Sequence, residues 1–420
     1  MARLTASGTG TALMADDDTE AVSARSAWRA VLVLGFGTFA LGTDEFVLAG
    51  VLPEFSKSLD VSIATAGQTV TVFALTCAVM SPVLGTLTAG WPRHRVLKLA
   101  VLLYMVGVIA TGFAPSFAVV LVAQMIAAAG AGLYIPAASV TAASLVEPER
   151  RGRAIAAVTT GLTAATALGA PIGTVVGSVL GWRATMWFIT ALTLLGLLGV
   201  LALVPRVSVP APGGLRQRLA PLGDRRVVTV LATTLVAFTA AYIVYTYMAE
   251  VFSSATGDSG TKLAILMFAF GLTGTVGNFY AGALVDRIGA RPVVGGAIVL
   301  LALSLVVLPL TTGTYPAALV VIVAYGVAAW AITAPQQTRL ITLEPESAPL
   351  LISLNAAFLY LAIAFSGVIG AVGMSSIGAD RISFIGAGLA VVALGLSELA
   401  HRLSSRTPAA VEPSEVDTYH

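Results

Sequence analysis

Of the 420 residues, 57% are apolar and only 10% are charged, and a further 42 are glycine. Apolar residues and glycine thus make up about two thirds of the chain, against roughly half in soluble domains, and the charges are too few to cover a water-soluble protein of this size. A soluble enzyme, a nucleic-acid-binding module and a disordered chain are excluded, which leaves a polytopic membrane protein. The formal net charge of +2 offers nothing to a nucleic acid. Cys77 is the one cysteine, so no intrachain disulfide and no paired-thiol metal site can form. Arginine outnumbers lysine twenty to three, a bias in keeping with a GC-rich bacterial genome.

Residues 1–26 are polar, carry an acidic run from Asp16 to Asp18, and lack the apolar core and small-residue cleavage site of a signal peptide. They are expected to form a disordered cytoplasmic tail. From Ala27 onward the chain is a succession of apolar stretches near the ~20 residues that a bilayer-spanning helix needs. The pattern predicts twelve helices, over residues 28–51, 64–89, 96–114, 117–145, 153–180, 184–204, 227–252, 262–285, 291–311, 316–339, 350–376 and 382–402. The fold class is therefore an all-α polytopic membrane protein. Residues 403–420 form a second polar tail.

Charge sets the expected orientation. With the N-terminus inside, nineteen lysines and arginines fall in cytoplasmic segments, including the clusters Arg150-Arg151-Gly152-Arg153 and Arg216 to Arg226. Only Lys57, Arg183, Lys262 and Arg381 fall outside. This positive-inside bias, with an even number of spans, places both termini in the cytoplasm of a bacterial plasma-membrane protein. The basic clusters need no role beyond anchoring to anionic lipid.

The chain repeats itself. Gly85-Thr86-Leu87 recurs as Gly282-Ala283-Leu284, Glu147-Pro148-Glu149 as Glu344-Pro345-Glu346, and Gly181 as Gly378, each pair 197 residues apart. Three landmarks at one spacing argue for two six-helix halves in the same orientation, residues 27–204 and 227–402, joined by a cytoplasmic linker over 205–226. Such parallel repeats imply a central cavity at their interface and rocking between two openings.

Several motifs carry a family resemblance: Gly42-Thr43-Asp44-Glu45-Phe46 in helix 1, Leu168-Gly169-Ala170-Pro171-Ile172-Gly173-Thr174 in helix 5, the Gly181-Trp182-Arg183 turn, Pro335-Gln336-Gln337-Thr338-Arg339 in helix 10, and Ser353-Leu354-Asn355 in helix 11. With these the sequence resembles the major facilitator superfamily, in its twelve-helix drug:proton antiporter branch, of the chloramphenicol-resistance and arabinose-efflux-permease type. The resemblance covers residues 28–402. It implies a monomer that exchanges a small-molecule substrate for protons, without a cofactor. The family's loop motif, G-x-L-x-D-R-x-G-R, is kept in the second half as Gly282, Leu284, Asp286, Arg287 and Gly289, while Ala89 stands where the first copy's acid belongs. By resemblance, Asp286 and Arg287 serve gating, with the Asp286 carboxylate set against the start of helix 5, where the helix dipole favours negative charge. Gln124 occupies the helix-4 position at which many relatives carry an arginine.

The sharpest chemical signal is the pair Asp44 and Glu45. Counting from Ala30, Glu45 lies about 22 Å along a helix rising 1.5 Å per residue, within the ~30 Å apolar layer. An ionisable group at that depth is costly and turns to a cavity or a partner. Gly35, Thr38, Gly42, Glu45 and Ala49 follow helical spacing, which puts Glu45 on a small-residue face, and Asp44 points about 100° away. Glu45 is therefore the expected proton carrier and Asp44 a secondary one. The competing reading places both acids in the headgroup layer, with Phe46 to Val51 bending outward.

Helix 5 carries Ala157, Gly161, Ala165, Gly169, Gly173, Gly177 and Gly181, each four apart, a stripe that lets backbones touch. Pro171 interrupts it, frees the carbonyl near Ala167 and predicts a bend. In the resembled family this glycine and proline pattern marks proton-exchanging exporters; tight packing alone would also account for it. Tyr134, Tyr242, Tyr245, Asn278, Trp330, Gln336 and Asn355 are candidate substrate contacts, because amides within a bilayer need partners and aromatic walls suit a flat amphipathic ligand. Glu250 is either a solvated residue of the mouth or a further acid. There is no lysine-containing phosphate loop, no Ser/His/Asp set and no metal-ligand spacing, so neither ATP-driven transport nor a membrane enzyme is expected. The function expected is proton-coupled export of small amphipathic compounds. The alternatives are a sugar, nucleoside or metabolite transporter of the same fold and, more remotely, a non-transporting receptor or scaffold.

Overall fold

The structure, a computed structural model, describes residues 9–206 and 219–405, and every regular element among them is a helix. Twelve are long and apolar enough to cross a bilayer: α1 (Arg25–Leu59), α2 (Ile63–Leu87), α3 (Arg93–Phe113), α4 (Phe117–Ser144), α5 (Pro148–Leu180), α6 (Trp182–Leu203), α7 (Arg225–Thr246), α8 (Gly260–Ile288), α9 (Ala290–Leu310), α10 (Tyr315–Leu343), α11 (Leu350–Ile377) and α12 (Ala379–Ser404). Each span expected from hydropathy finds its helix. The fold is an all-α membrane fold.

The departures have local causes. The helix that contains α1 is continuous from Thr9 to Leu59. Residues 9–26, expected as a disordered tail, therefore continue it, since extending an existing helix through Ala, Leu, Met and Glu needs no new nucleus. The helix of α1 also stays continuous after Phe46 and runs on through Pro53. The helix of α7 stops at Thr246, and short turns over Met248–Val251 and Ser253–Thr256 lead to Gly257, whose φ of 59° is left-handed. The remaining parts of the expected tails and linker (1–8, 207–218 and 406–420) lie outside the described residues.

Two membrane helices change pitch ahead of a proline. In α5 the stretch Ala165–Gly169 widens into a π turn just before Pro171. Pro171 cannot donate to Ala167 and its ring crowds that carbonyl, so the helix opens there. In α10 the helix breaks at Ala331 and Ile332, four and three residues before Pro335. The cause is the same, and the break falls directly after Trp330.

The repeat is visible in the backbone. Short 3₁₀ turns occupy Pro148–Arg150 and Pro345–Ser347, and Gly181 and Gly378 share φ values of 85° and 87°. Both glycines make a left-handed turn between consecutive helices that a side chain would strain. Helices α1–α6 and α7–α12 form two bundles. Of the most apolar stretch, 72% is buried in both α1 and α7, against 33% to 56% in the other spans, so these two sit at the centre. The bundles meet along two seams, α2 against α11 and α5 against α8, the crossed pairing that a twofold axis between the halves requires.

Candidate functional site

The position of Glu45 follows from how α5 grips α1. A Cβ on Gly35 would meet the Ala157 carbonyl at 2.8 Å, and one on Gly161 would strike Gly35. Further along, Gly42 lies on Leu162 and Ala165, Gly169 on Thr43, Gly173 on Val47 and Gly177 on Val51. The glycine stripe thus packs within the first half, backbone against backbone. The line of contact runs through Thr43, Val47 and Val51. Glu45 is about 200° around the helix from both Thr43 and Val47, so it leaves the face that α5 covers. Gly37 packs on Tyr134 of α4, and Asp44, seven residues on, shares that side.

The two neighbouring acids therefore have different surroundings. Asp44 is wholly enclosed in the first bundle, facing Tyr104 of α3 and Gln124 of α4. Glu45, 8% exposed, faces the other bundle. The Tyr360 hydroxyl of α11 donates to its carboxyl at 3.4 Å. Glu45 lines a small void with Phe46, Ala49 and Val70 of the first half and Tyr242, Tyr245, Thr246 and Ile363 of the second. The void holds about 10 Å³, room for a single water.

An aromatic cluster closes over this void. Tyr245 meets Phe46 edge-on at 6.0 Å and donates its hydroxyl to the Phe46 carbonyl at 3.2 Å. Tyr242 meets Tyr245 at 5.8 Å, and Phe270 meets Tyr245 at 4.9 Å and Tyr325 at 5.0 Å. Trp330 reaches Phe46 at 6.3 Å, its indole seated on Gly274. Edge-to-face and tilted pairs at these spacings are attractive beyond the area they bury. Tyr325 is fixed by a hydroxyl donated to the Ala241 carbonyl.

Of the expected substrate contacts, the structure brings Tyr242, Tyr245 and Trp330 together with Glu45. Asn278 lies one turn beyond Gly274 on α8, and its buried side-chain oxygen has no partner. Tyr134, Gln336 and Asn355 stand elsewhere. Tyr134 is fully buried and donates to the Leu34 carbonyl at 3.2 Å, binding α4 to α1. Gln336 donates to the Val230 carbonyl and to Thr234, both at 3.0 Å, while Thr234 donates to Asn355 at 2.8 Å. Arg339 completes this intra-bundle staple through Gln336, at 3.2 Å, and Ser397, at 2.9 Å. Thr234 is eight residues from Tyr242, about 12 Å along α7, so the staple is remote from Glu45. Sequence reasoning missed Tyr360, Tyr104, Phe270 and Tyr325. Tyr104 and Tyr360 were findable, since a tyrosine near mid-span, far from either interface belt, needs a partner for its hydroxyl.

Contacts between the halves gather toward the end opposite the termini. Gln68 of α2 donates to the Gly367 carbonyl of α11 at 3.4 Å, which also accepts from Tyr247 at 2.7 Å. The Tyr247 ring lies against Gly67, Gly260 lies against Ser178, Gly271 against Ala167, and Thr174 meets the Met267 sulfur at 3.4 Å. Toward the termini, Phe279 and Tyr280 of α8 are largely exposed. Asp286 and Arg287 are exposed there too, and neither forms an ion pair among the described residues. The engagement of Asp286 with α5 that the family resemblance implies is not made in this conformation. Arg291, at the start of α9, instead binds Glu398 of α12 through two hydrogen bonds, of 2.7 and 3.2 Å. Glu250 is half-buried at the closed end, where burial first, then Asp258 and Asp380, push its carboxyl above the usual range.

Two six-helix bundles around a buried acid at their seam define a membrane transporter of small molecules. The sequence profile described as the Major Facilitator Superfamily matches residues 34–252 and 230–416, and the chain belongs to that superfamily. It is 30% identical to the uncharacterized MFS-type transporter YbcL of Bacillus subtilis, over 86% of this chain and 92% of that one. It is 32% identical to the chloramphenicol resistance protein of Streptomyces lividans, over 61% of this chain and 66% of that one. Among solved structures, the fold matches an inward-facing, unoccupied bacterial homologue of the human lysosomal transporter Spinster, with a TM-score of 0.77, 16% identity, and 91% and 99% of the two chains covered. The chain is a multi-pass membrane protein.

Proposed function

We propose that this transporter exports small amphipathic organic compounds, phenicol-like drugs among them, in exchange for protons that bind Glu45. The observation that carries the reading is the place of Glu45: a carboxyl at the seam, held by a hydroxyl of the opposite bundle and enclosed by Phe46, Tyr242 and Tyr245, with Trp330 set against Phe46. A carboxyl at such a seam can exchange a proton as solvent or a competing ligand gains access to it. Rocking of the halves would expose Glu45 to each side in turn. Resemblance to a chloramphenicol resistance protein supports efflux and the substrate class. The excess of basic residues in the loops and segments on the side of the chain termini supports a cytoplasmic placement for the termini, and the conformation described above is then inward-facing. In the outward-facing state Asp286 engages the start of α5 and shuts the cytoplasmic side. Tyr242, Tyr245, Trp330, Tyr360 and Asn278 form the substrate wall, and a monomer contains the whole path.

The test uses everted membrane vesicles acidified inside by respiration, with a quenched ΔpH dye as reporter. Phenicols, lipophilic dyes, sugars and nucleosides are added in turn. Recovery of fluorescence on adding one compound, absent in Glu45→Gln, supports the reading and names the ligand class. Transport of a compound with no accompanying proton movement would overturn it.

A further inference from the structure

A groove runs along the outside of the seam between α5 and α8. Leu168, Pro171, Ile172 and Val175 form one wall, Ile265 and Phe268 the other, and the space between them is about 360 Å³, within the range of small-ligand sites. Its floor is the closed seam itself, where Gly271 lies against Ala167 and Thr174 meets the Met267 sulfur at 3.4 Å. Ala167 and Ala264 line it with methyl groups where longer side chains would fill it. The groove opens away from the centre of the protein. On α5, Gly169 and Gly173 face α1, while the exposed Leu168 and Ile172 stand about 100° round the helix from them. On α8, Ile265, Phe268 and Leu272 form a second exposed stripe at i, i+3 and i+7. Both stripes belong to membrane-spanning helices, so the groove faces the bilayer.

We propose that an acyl chain of a membrane phospholipid occupies this groove and clasps the two bundles together at the end opposite the termini. The chemistry of the lining names the occupant. Thr261 is the one polar residue among the groups that line the groove. It lies at the very start of α8, beside Lys262, whose ammonium sits over the Tyr315 ring at 5.7 Å. A lysine and a tyrosine paired at the starts of two spans mark the headgroup level. From Thr261 the groove descends past Ile265 to Phe268, about 10 Å along α8, and meets no polar side chain on the way. A polar ligand would lose its water there and gain no partner. An alkyl chain hanging from the headgroup level loses nothing. The groove surrounds it on three sides where a smooth helix face touches it on one, and each added side adds dispersion contacts.

The groove also belongs to one conformation. Its walls come from different bundles, and they are held together by the same contacts that close this end, Thr174 on Met267 and Gly260 on Ser178. Rocking of the halves parts the walls and removes the groove. A chain that binds only while the walls are together favours that state by its own binding free energy. The lipid then sets how readily the end opposite the termini opens. This control is separate from the proton at Glu45 and does not depend on which compound is carried.

The test uses the full-length protein reconstituted in phosphatidylethanolamine vesicles, with a trace of a phospholipid that carries a photoreactive diazirine near the end of one acyl chain. After illumination the adducts are mapped by peptide mass spectrometry. Labelling of residues 168–176 and 265–268 should exceed, severalfold, that of bilayer-facing stretches elsewhere, such as the one around the exposed Val320. Ala264→Phe puts a ring in the groove and should remove the excess. If Ala264→Phe does not fold, Ile172→Phe, at an exposed wall position, fills the groove from its rim. Spin-label distances across the loops after α1 and α7 read the conformational effect. Methyl-branched acyl chains are too wide for the groove, so the population open at that end should rise by about fivefold when they replace straight chains, and the filled variants should show no such rise. Even labelling over the whole bilayer-facing surface would overturn the proposal, as would an excess that survives in the filled variants or equal distances in the two lipids. Displacement of the label by a transported compound would also overturn it, since the groove would then be a substrate site.

Discussion

The hydroxyl of Tyr360 lies 3.4 Å from the carboxyl of Glu45, so an acid of the first bundle is held by a phenol of the second. The contact exists only while the two helices keep their present relation, and it couples the charge on Glu45 to the conformation. Removing the hydroxyl by Tyr360→Phe leaves the ring in place and takes away one donor. A hydrogen bond of this kind contributes about 0.5–1.5 kcal/mol, so the apparent proton affinity in this state should shift by roughly two- to tenfold. The pH dependence of transport by Tyr360→Phe, compared with wild type, reads this directly, and superimposable profiles would deny the contact a role.

Closure of the end opposite the termini rests on the Gly367 carbonyl, which accepts from Gln68 across the seam and from Tyr247. Gln68→Leu removes the bond that crosses the seam and leaves the Tyr247 bond, which lies within the second bundle. A loss of about 1 kcal/mol should raise the population open at that end roughly fivefold. Spin-label distances across the loops after α1 and α7 would show the added long-distance component. An unchanged distribution would place the latch elsewhere.

Glycines of the α1–α5 contact and glycines of the surface should respond in opposite ways. A Cβ at Gly161 would enter the Gly35 backbone, while one at Gly152 meets nothing within 4 Å. Gly161→Val should destabilise the first bundle by about 1–3 kcal/mol or more. Gly152→Ala should gain up to ~1 kcal/mol from helix propensity. Thermal unfolding of the two variants separates these directions, and equal behaviour would contradict the packing described.

Asp224 caps the start of α7, accepting from the Arg226 backbone and from its guanidinium, both at 2.7 Å. The Arg226 side chain holds the Asp224 carboxyl below its ordinary range. A depressed carboxyl stabilises the fold above its unfolded-state range, and the contribution is lost as pH falls through the folded one. Asp224→Ala should therefore cost about 1 kcal/mol near neutral pH, and the difference from wild type should shrink in acid. Thermal unfolding across pH checks the sign, and a difference that grows in acid would contradict it.

Much of this was legible in the chain. Hydropathy found all twelve spans because a bilayer demands long unbroken apolar helices, and the 197-residue offset found the two halves because Gly181 and Gly378 make the same left-handed turn. Helical spacing also separated Asp44 from Glu45 correctly. Spacing also put Ala49 on the face of Glu45, and the two line one void, but it could not say which helix that face meets. Spacing on one helix carries no information about the crossing of its partner, and α5 drifts along Thr43, Val47 and Val51 and leaves Glu45 free. The amides misled for a related reason. Gln336 and Asn355 do need partners within the bilayer, but Thr234 and Arg339 supply them inside one bundle. Tyr360 is 315 residues from Glu45, and only the packing of two separately folded bundles brings them together.

The exchange of substrate for a proton at Glu45 is tested most directly on purified protein in weakly buffered detergent, with a soluble pH indicator. The compound identified in vesicles is added to saturation near neutral pH. The account predicts prompt release of about one proton per protein molecule, abolished in Glu45→Gln and retained in Asp44→Asn, because Glu45 alone lies where a ligand at the seam can displace its proton. Saturable binding with no proton released, or release that persists undiminished in Glu45→Gln, would contradict it.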